Sequence, residues 1–131
     1  MDNQTYIEKA NRTANHDHAA ISDRITPNMI EVLHGVIGMV TESGEAMDMI
    51  KKHVYYGKEL DLVNLHEEIG DLMWYVALIC SACNFDLSDI MEKNIEKLRA
   101  RYGEKFSEER AINRDLNKER KILETVKWPK F

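Results

Sequence analysis

The sequence predicts an all-α fold, with antiparallel helices forming a four-helix-bundle-like core that oligomerisation completes. Three observations carry this. The 131 residues include only two Pro and six Gly, so long stretches run without a turn signal. Aromatic residues are 8% and charged residues 31%, a balance that suits long helices better than a sheet of short strands. Apolar residues recur at helical intervals, and no stretch reads as a strand. The length fits one domain over 1–131, with a core over about 27–106 and a charged helical arm over about 107–126.

Taken in order, the first helix is expected from Thr5 to about Asn15, on Tyr6, Ile7, Ala10 and Ala14. The polar run Asn15-His16-Asp17-His18 ends or bends it. Thr26 is a natural N-cap and Pro27 fits a first helical turn, so a second helix runs from Pro27 to about Val54. Its apolar positions are Ile30, Leu33, Ile37, Val40 and Met47. Gly35, Gly38 and Gly44 lie inside it, each costing roughly 1 kcal/mol against Ala, which predicts close approach by another helix or a ligand. Gly57 suits the residue just past its end. Asp61 can cap a third helix, Leu62 to about Cys83, almost wholly apolar after Asp71 and therefore the most buried element. That helix offers more apolar surface than one short chain can cover, which predicts association. Asn84-Phe85 breaks it. Asp86 caps a fourth helix, Leu87 to Tyr102, with Gly103 beyond. Ser107 can cap a last helix to about Val126, expected as a solvated arm or a clasp on a neighbouring subunit.

The formal net charge is −5 and no basic stripe dominates, which argues against a general nucleic-acid binder. An acidic chain can still bind a polyphosphate through metal ions. The longest apolar run, Leu72 to Cys83, is too short to span a bilayer, so no membrane partner is expected. The opening residues do not read as a signal peptide, and the expectation is a cytoplasmic protein with reduced thiols. Cys80 and Cys83 form a lone Cys-x-x-Cys in an apolar helix, better read as small core residues than as a zinc or redox site.

Two acidic phrases carry the chemistry. Glu42-Ser43-Gly44-Glu45 lies in the second helix, and Glu67-Glu68-Ile69-Gly70-Asp71 in the third. A three-residue spacing puts Glu42 and Glu45 on one helix face, and likewise Glu68 and Asp71; Glu67, four before Asp71, is also within reach. Antiparallel packing lets the two phrases face each other. Crowded carboxylates in apolar surroundings stay ionised only if a cation neutralises them, and oxygen ligands favour Mg²⁺, with Mn²⁺ as a substitute. A single Glu-x-x-Glu is usually a solvated face; the facing pair is what makes a metal site the better reading. Asn94, Lys97 and Arg101 form one polar face of the fourth helix, able to hold a chain of phosphates, although cations near a helix C-terminus are favoured without any ligand.

The order Glu42-x-x-Glu45, then Glu68-x-x-Asp71 with Leu72-Met73-Trp74-Tyr75 following, resembles the MazG-like, all-α nucleoside triphosphate pyrophosphohydrolases. Their pattern is Glu-x-x-Glu, a gap of roughly twelve to twenty-eight residues, then Glu-x-x-Asp. The similarity spans about residues 30–106. It implies Mg²⁺-dependent hydrolysis of a nucleoside triphosphate to the monophosphate and pyrophosphate, in a homodimer or homotetramer. By the same resemblance Glu42, Glu45, Glu68 and Asp71 are the metal ligands and catalytic residues, and it favours Glu68 over Glu67. Lys97 and Arg101 match the family's phosphate contacts, with Asn94 and Lys52 as further substrate-binding candidates. Two departures stand out. Asn64 replaces a basic residue common four before the second motif, leaving phosphate contacts to others such as Lys52, and Gly103 stands where Pro is common.

Two rival classes remain open at this point. One is a metal-free helical interaction module whose acidic phrases are a binding face. The other is a di-iron bundle, for which Glu31-x-x-His34 supplies one Glu-x-x-His but no second copy exists. His34 reads as a half-buried structural histidine that could touch a base or sugar, and His16 and His18 as a polar helix end. Trp74 reads as core or subunit interface.

Overall fold

Local capping signals set the element boundaries in the computed structural model, which describes residues 1–125. The elements are α1 (Asn3–Asn11), α2 (His18–Asp23), α3 (Pro27–Tyr56), α4 (Leu62–Cys83), α5 (Leu87–Tyr102), α6 (Glu108–Ile112) and α7 (Leu116–Leu123). The described residues are all helix, turn and coil, with no strand among them. Thr26 Oγ1 accepts from the Met29 N–H at 3.2 Å and opens α3. Gly57 closes α3 in the left-handed region, φ 64°. Asp61 accepts from the Val63 and Asn64 N–H groups and opens α4, and Asp86 accepts from Ser88 N–H and opens α5. Asn84 ends α4 with φ 52°, a conformation Asn tolerates better than most residues.

Both chain ends differ from expectation. Helix α1 starts at Asn3 rather than Thr5, because Asp2 caps it by accepting from Thr5 N–H at 2.9 Å and from Thr5 Oγ1 at 2.8 Å, and it stops at Asn11 rather than Asn15. Asp17 then opens a short helix, α2, by accepting from Ala20 N–H. The single C-terminal helix expected after Ser107 is two. Asn113 leaves helical geometry, and Asp115 caps α7 by accepting from Lys118 N–H at 3.0 Å. The expected end at Val126 lies outside the described residues. The segment is not a solvated arm: α6 and α7 fold back on α5.

Helices α3 and α4 form an antiparallel hairpin, and its register can be read along the pair. Asn28 Nδ2 donates to Ala82 O at 3.2 Å at one end. Further along, a Cβ at Gly35 would sit 2.5 Å from Ile79 Cγ1, and one at Gly38 would sit 2.1 Å from the Tyr75 ring. These two glycines are buried and let the helix axes approach. Gly44 differs: a Cβ there would meet nothing within 4 Å. At the far end Glu42 and Glu45 meet Glu68.

Helix α4 holds most of the buried residues described, namely Glu68, Cys80, Ala82 and Cys83. Both cysteines are free, and burial pushes the Cys83 thiol pKa up. Large apolar side chains of the hairpin stay open to solvent in the single chain, among them Ile30, Ile37, Val40, Met73 and Trp74. Extended helix packing therefore falls into two groups, α3 with α4 and α5 with α6 and α7.

Candidate metal centre

The antiparallel register of α3 and α4 brings the first acidic phrase against the second. Glu42, Glu45 and Glu68 each present a carboxylate oxygen within 4.8 Å of the others. Glu68 is 4% exposed, whereas Glu67 points to solvent and stays outside the cluster. Asp71 is exposed and does not join this three-residue cluster, although it lies one turn from Glu68 on the same helix.

Burial raises the pKa of Glu68, and the Glu42 and Glu45 carboxylates beside it push in the same direction. Asn64 opposes them by donating from Nδ2 to Glu68 Oε1 at 3.0 Å. That bond also holds the Glu68 carboxylate in place. Asn64, the position that departs from the family pattern, thus supports the acidic cluster through an i,i+4 contact whose spacing is legible in the sequence. Three converging hard oxygen donors, one of them fixed by a neighbouring amide, fit a divalent cation.

An open cleft of about 560 Å³ adjoins Glu45, lined also by Thr41, Gly44, Asp48, Lys52 and Asn64. The empty space over Gly44 belongs to this cleft. Lys52 reaches it but is engaged: its Nζ lies 2.6 Å from Asp48, which also pairs with Lys51. These two lysines pull the Asp48 carboxyl down to about 2, Lys51 having the larger effect.

Asn94, Lys97 and Arg101 do not line this cleft. They lie on α5, whose extended contacts within the chain are with α6 and α7. Arg101 is already held there. Its Nε donates to Glu119 Oε1 at 2.9 Å and its Nη2 to Oε2 at 2.5 Å. Arg114 grips the same carboxylate at 3.3 and 2.7 Å. Glu119 and Arg114 carry no signal in the sequence, because the Arg101 they gather around is distant along the chain. His34 sits in an aromatic cluster, edge-on to Trp74 at 6.2 Å and to Tyr75 at 5.7 Å, and Trp74 is 56% exposed. Glu31 and His34 enter no ligand cluster among the described residues, so the di-iron reading gains no support. No described helix is long and apolar enough to cross a membrane.

Comparison with known proteins gives this geometry a family. A protein of Mycobacterium phage L5, "Gene 37 protein", is 33% identical over 72 residues, covering 50% of this chain and 60% of the relative. The chain thus spans about three fifths of that relative's length, and the relative's name carries no activity. No solved structure matches the chain significantly. Residues 35–106, which include both acidic phrases and the face of α5, match the profile of the MazG nucleotide pyrophosphohydrolase domain, and the chain belongs to that family.

Proposed function

We propose that this chain hydrolyses a (deoxy)nucleoside triphosphate to the monophosphate and pyrophosphate, in control of a cytoplasmic nucleotide pool. The observation that carries the reading is the convergence of Glu42, Glu45 and Glu68 inside the segment that matches the family. Glu42, Glu45 and Glu68 would hold Mg²⁺, or Mn²⁺ in its place, with Asp71 completing the set from one turn along α4. When bound, such an ion neutralises phosphate charge and acidifies a coordinated water. Asn64 keeps Glu68 aimed at the cluster. One cluster carboxylate not spent on the ion accepts the proton of the attacking water. The cleft beside Glu45 has room for a phosphate chain, and Lys52 can turn from Asp48 to a phosphate at its wall. Lys97 and Arg101, with Asn94, hold phosphates from α5.

The apolar side chains left open on α3 and α4 favour a homodimer or homotetramer, in which two hairpins make a four-helix core. In such an assembly α5 of one chain can reach the carboxylates of another.

The test is Mg²⁺-dependent release of pyrophosphate from a panel of nucleoside and deoxynucleoside triphosphates. Turnover of at least one substrate, abolished by Glu45→Gln in a folded protein, is expected. No turnover with Mg²⁺ or Mn²⁺ would refute the reading in favour of a metal-free helical interaction module, and full activity in Glu45→Gln would refute the ligand assignment.

A further inference from the structure

We infer that the open cavity between α5, α6 and α7 is a further anion site, beside the phosphate-holding face of α5 and built to take a diphosphate unit. The cavity, about 410 Å³, is lined by Arg99, Arg101, Arg110, Arg114 and Lys118, against only Asp115 and Glu119. Five cations facing two carboxylates leave an excess of three positive charges, in a chain whose net charge is −5. Such a concentration runs against the charge of the whole molecule and costs self-repulsion unless an anion sits among it.

The arrangement of hydrogen bonds gives the cavity its specificity. Glu119 is buried and accepts from Nε and Nη2 of both Arg101 and Arg114. Each guanidinium spends the same edge on it; Arg101 is engaged by Tyr102 as well, its guanidinium carbon 5.5 Å from that ring's centroid, whereas Arg114 keeps its Nη1 group for the cavity. Glu119 therefore acts as a template that fixes two guanidinium planes around one carboxylate while leaving Arg114 a donor for a ligand. Arg110 is fixed separately: its Nη1 donates to Tyr102 O at 2.6 Å, passing over Gly103, where a Cβ would come within 2.8 Å of it. Its Nε and Nη2 stay available. Arg99 and Lys118 make no ion pair among the described residues.

Fixed donors on several walls suit an anion with oxygens pointing in several directions. A diphosphate meets this better than a single phosphate, and among the described residues the lining is polar and charged apart from Ala100 and Gly103. Arg110, Arg114, Lys118 and Glu119 all lie beyond the segment matched to the family, so the cage is a property of this chain's C-terminal helices. The inference stands whether or not the chain hydrolyses nucleotides, and its test uses no turnover.

The experiment is calorimetric titration of the full chain with inorganic pyrophosphate in EDTA, so that the carboxylate cluster cannot contribute through a metal. Binding is expected, with orthophosphate weaker. The exposed pair Arg99→Ala/Lys118→Ala, which breaks no side-chain hydrogen bond of the fold, should weaken pyrophosphate by about tenfold or more. Glu42→Gln/Glu45→Gln should bind as the parent does. ATP as competitor identifies the source: displacement points to the triphosphate tail of a nucleotide, and failure to displace points to free diphosphate. Absence of binding, equal binding in the Arg99/Lys118 variant, or loss confined to the Glu42/Glu45 variant overturns the site. Orthophosphate binding as tightly as pyrophosphate overturns the diphosphate class.

Discussion

Two buried glutamates, Glu68 in the α3–α4 hairpin and Glu119 in the α5–α7 unit, are 4% and 5% exposed and sit in opposite electrostatic surroundings. Glu68 faces two further carboxylates, and burial together with their charge raises its pKa. Glu119 is clasped by two guanidiniums, Arg101 first and then Arg114, which hold its carboxyl down to about 2. The difference teaches what each is for. A buried carboxylate already matched by cations is a structural fixture. A buried carboxylate pressed against other carboxylates must take up a proton or gain a cation from outside, and the proposed metal is such a cation.

The comparison breaks most readily at Glu68. Glu68→Gln removes charge from the proposed metal centre, and pyrophosphate release should fall by about 100-fold or more, beyond the range typical of losing an outer-shell partner. In EDTA the variant should melt no lower than the parent, because a repulsion has gone. Mg²⁺ should raise the parent's melting temperature and leave the variant's unchanged. A variant that melts well below the parent in EDTA would show Glu68 to be a structural fixture like Glu119.

Glu119→Ala should do the reverse. It strips two guanidiniums of their shared acceptor, so α7 should loosen from α5 and the melting temperature should drop by several degrees. Acid should have a related effect. The folded pKa of Glu119 lies below its ordinary value near 4.5, so its contribution is complete above that value and is lost as pH falls toward about 2. Thermal melting between those limits should fall more steeply in the parent than in Glu119→Gln. Parallel curves would mean that the clasp adds no stability.

Smaller effects separate the two kinds of glycine in α3. Gly38→Ala drives a methyl into the Tyr75 ring and should cost about 1–3 kcal/mol by denaturant unfolding. Gly44→Ala meets open space and should stabilise by up to about 1 kcal/mol, from helix propensity alone. Equal effects at both positions would undo the hairpin register derived from these contacts.

Much of this architecture is legible in the residues alone. The caps Thr26, Asp61, Asp86 and Ser107 and the stop at Gly57 act within a few residues, so their geometry follows from local hydrogen bonding. The break at Asn113 and the cap at Asp115 are also local, but a charge-rich stretch with few apolar residues hides them beneath an unbroken helical pattern. Helical spacing likewise puts Glu42 with Glu45 and leaves Glu67 and Glu68 equally possible.

The sequence by itself determined the three long helices α3, α4 and α5, their caps and the carboxylate faces, because each depends on neighbours within one or two turns. Tertiary structure alone decided the rest. The rotation of α4 against α3, set by Gly35 and Gly38 packing on Ile79 and Tyr75, brings Glu68 into the cluster and leaves Glu67 and Asp71 outside it. The return of α7 onto α5 commits Arg101 to a carboxylate eighteen residues away. Neither event leaves a periodic mark, since long-range pairing is chosen by which surfaces fit when whole helices meet.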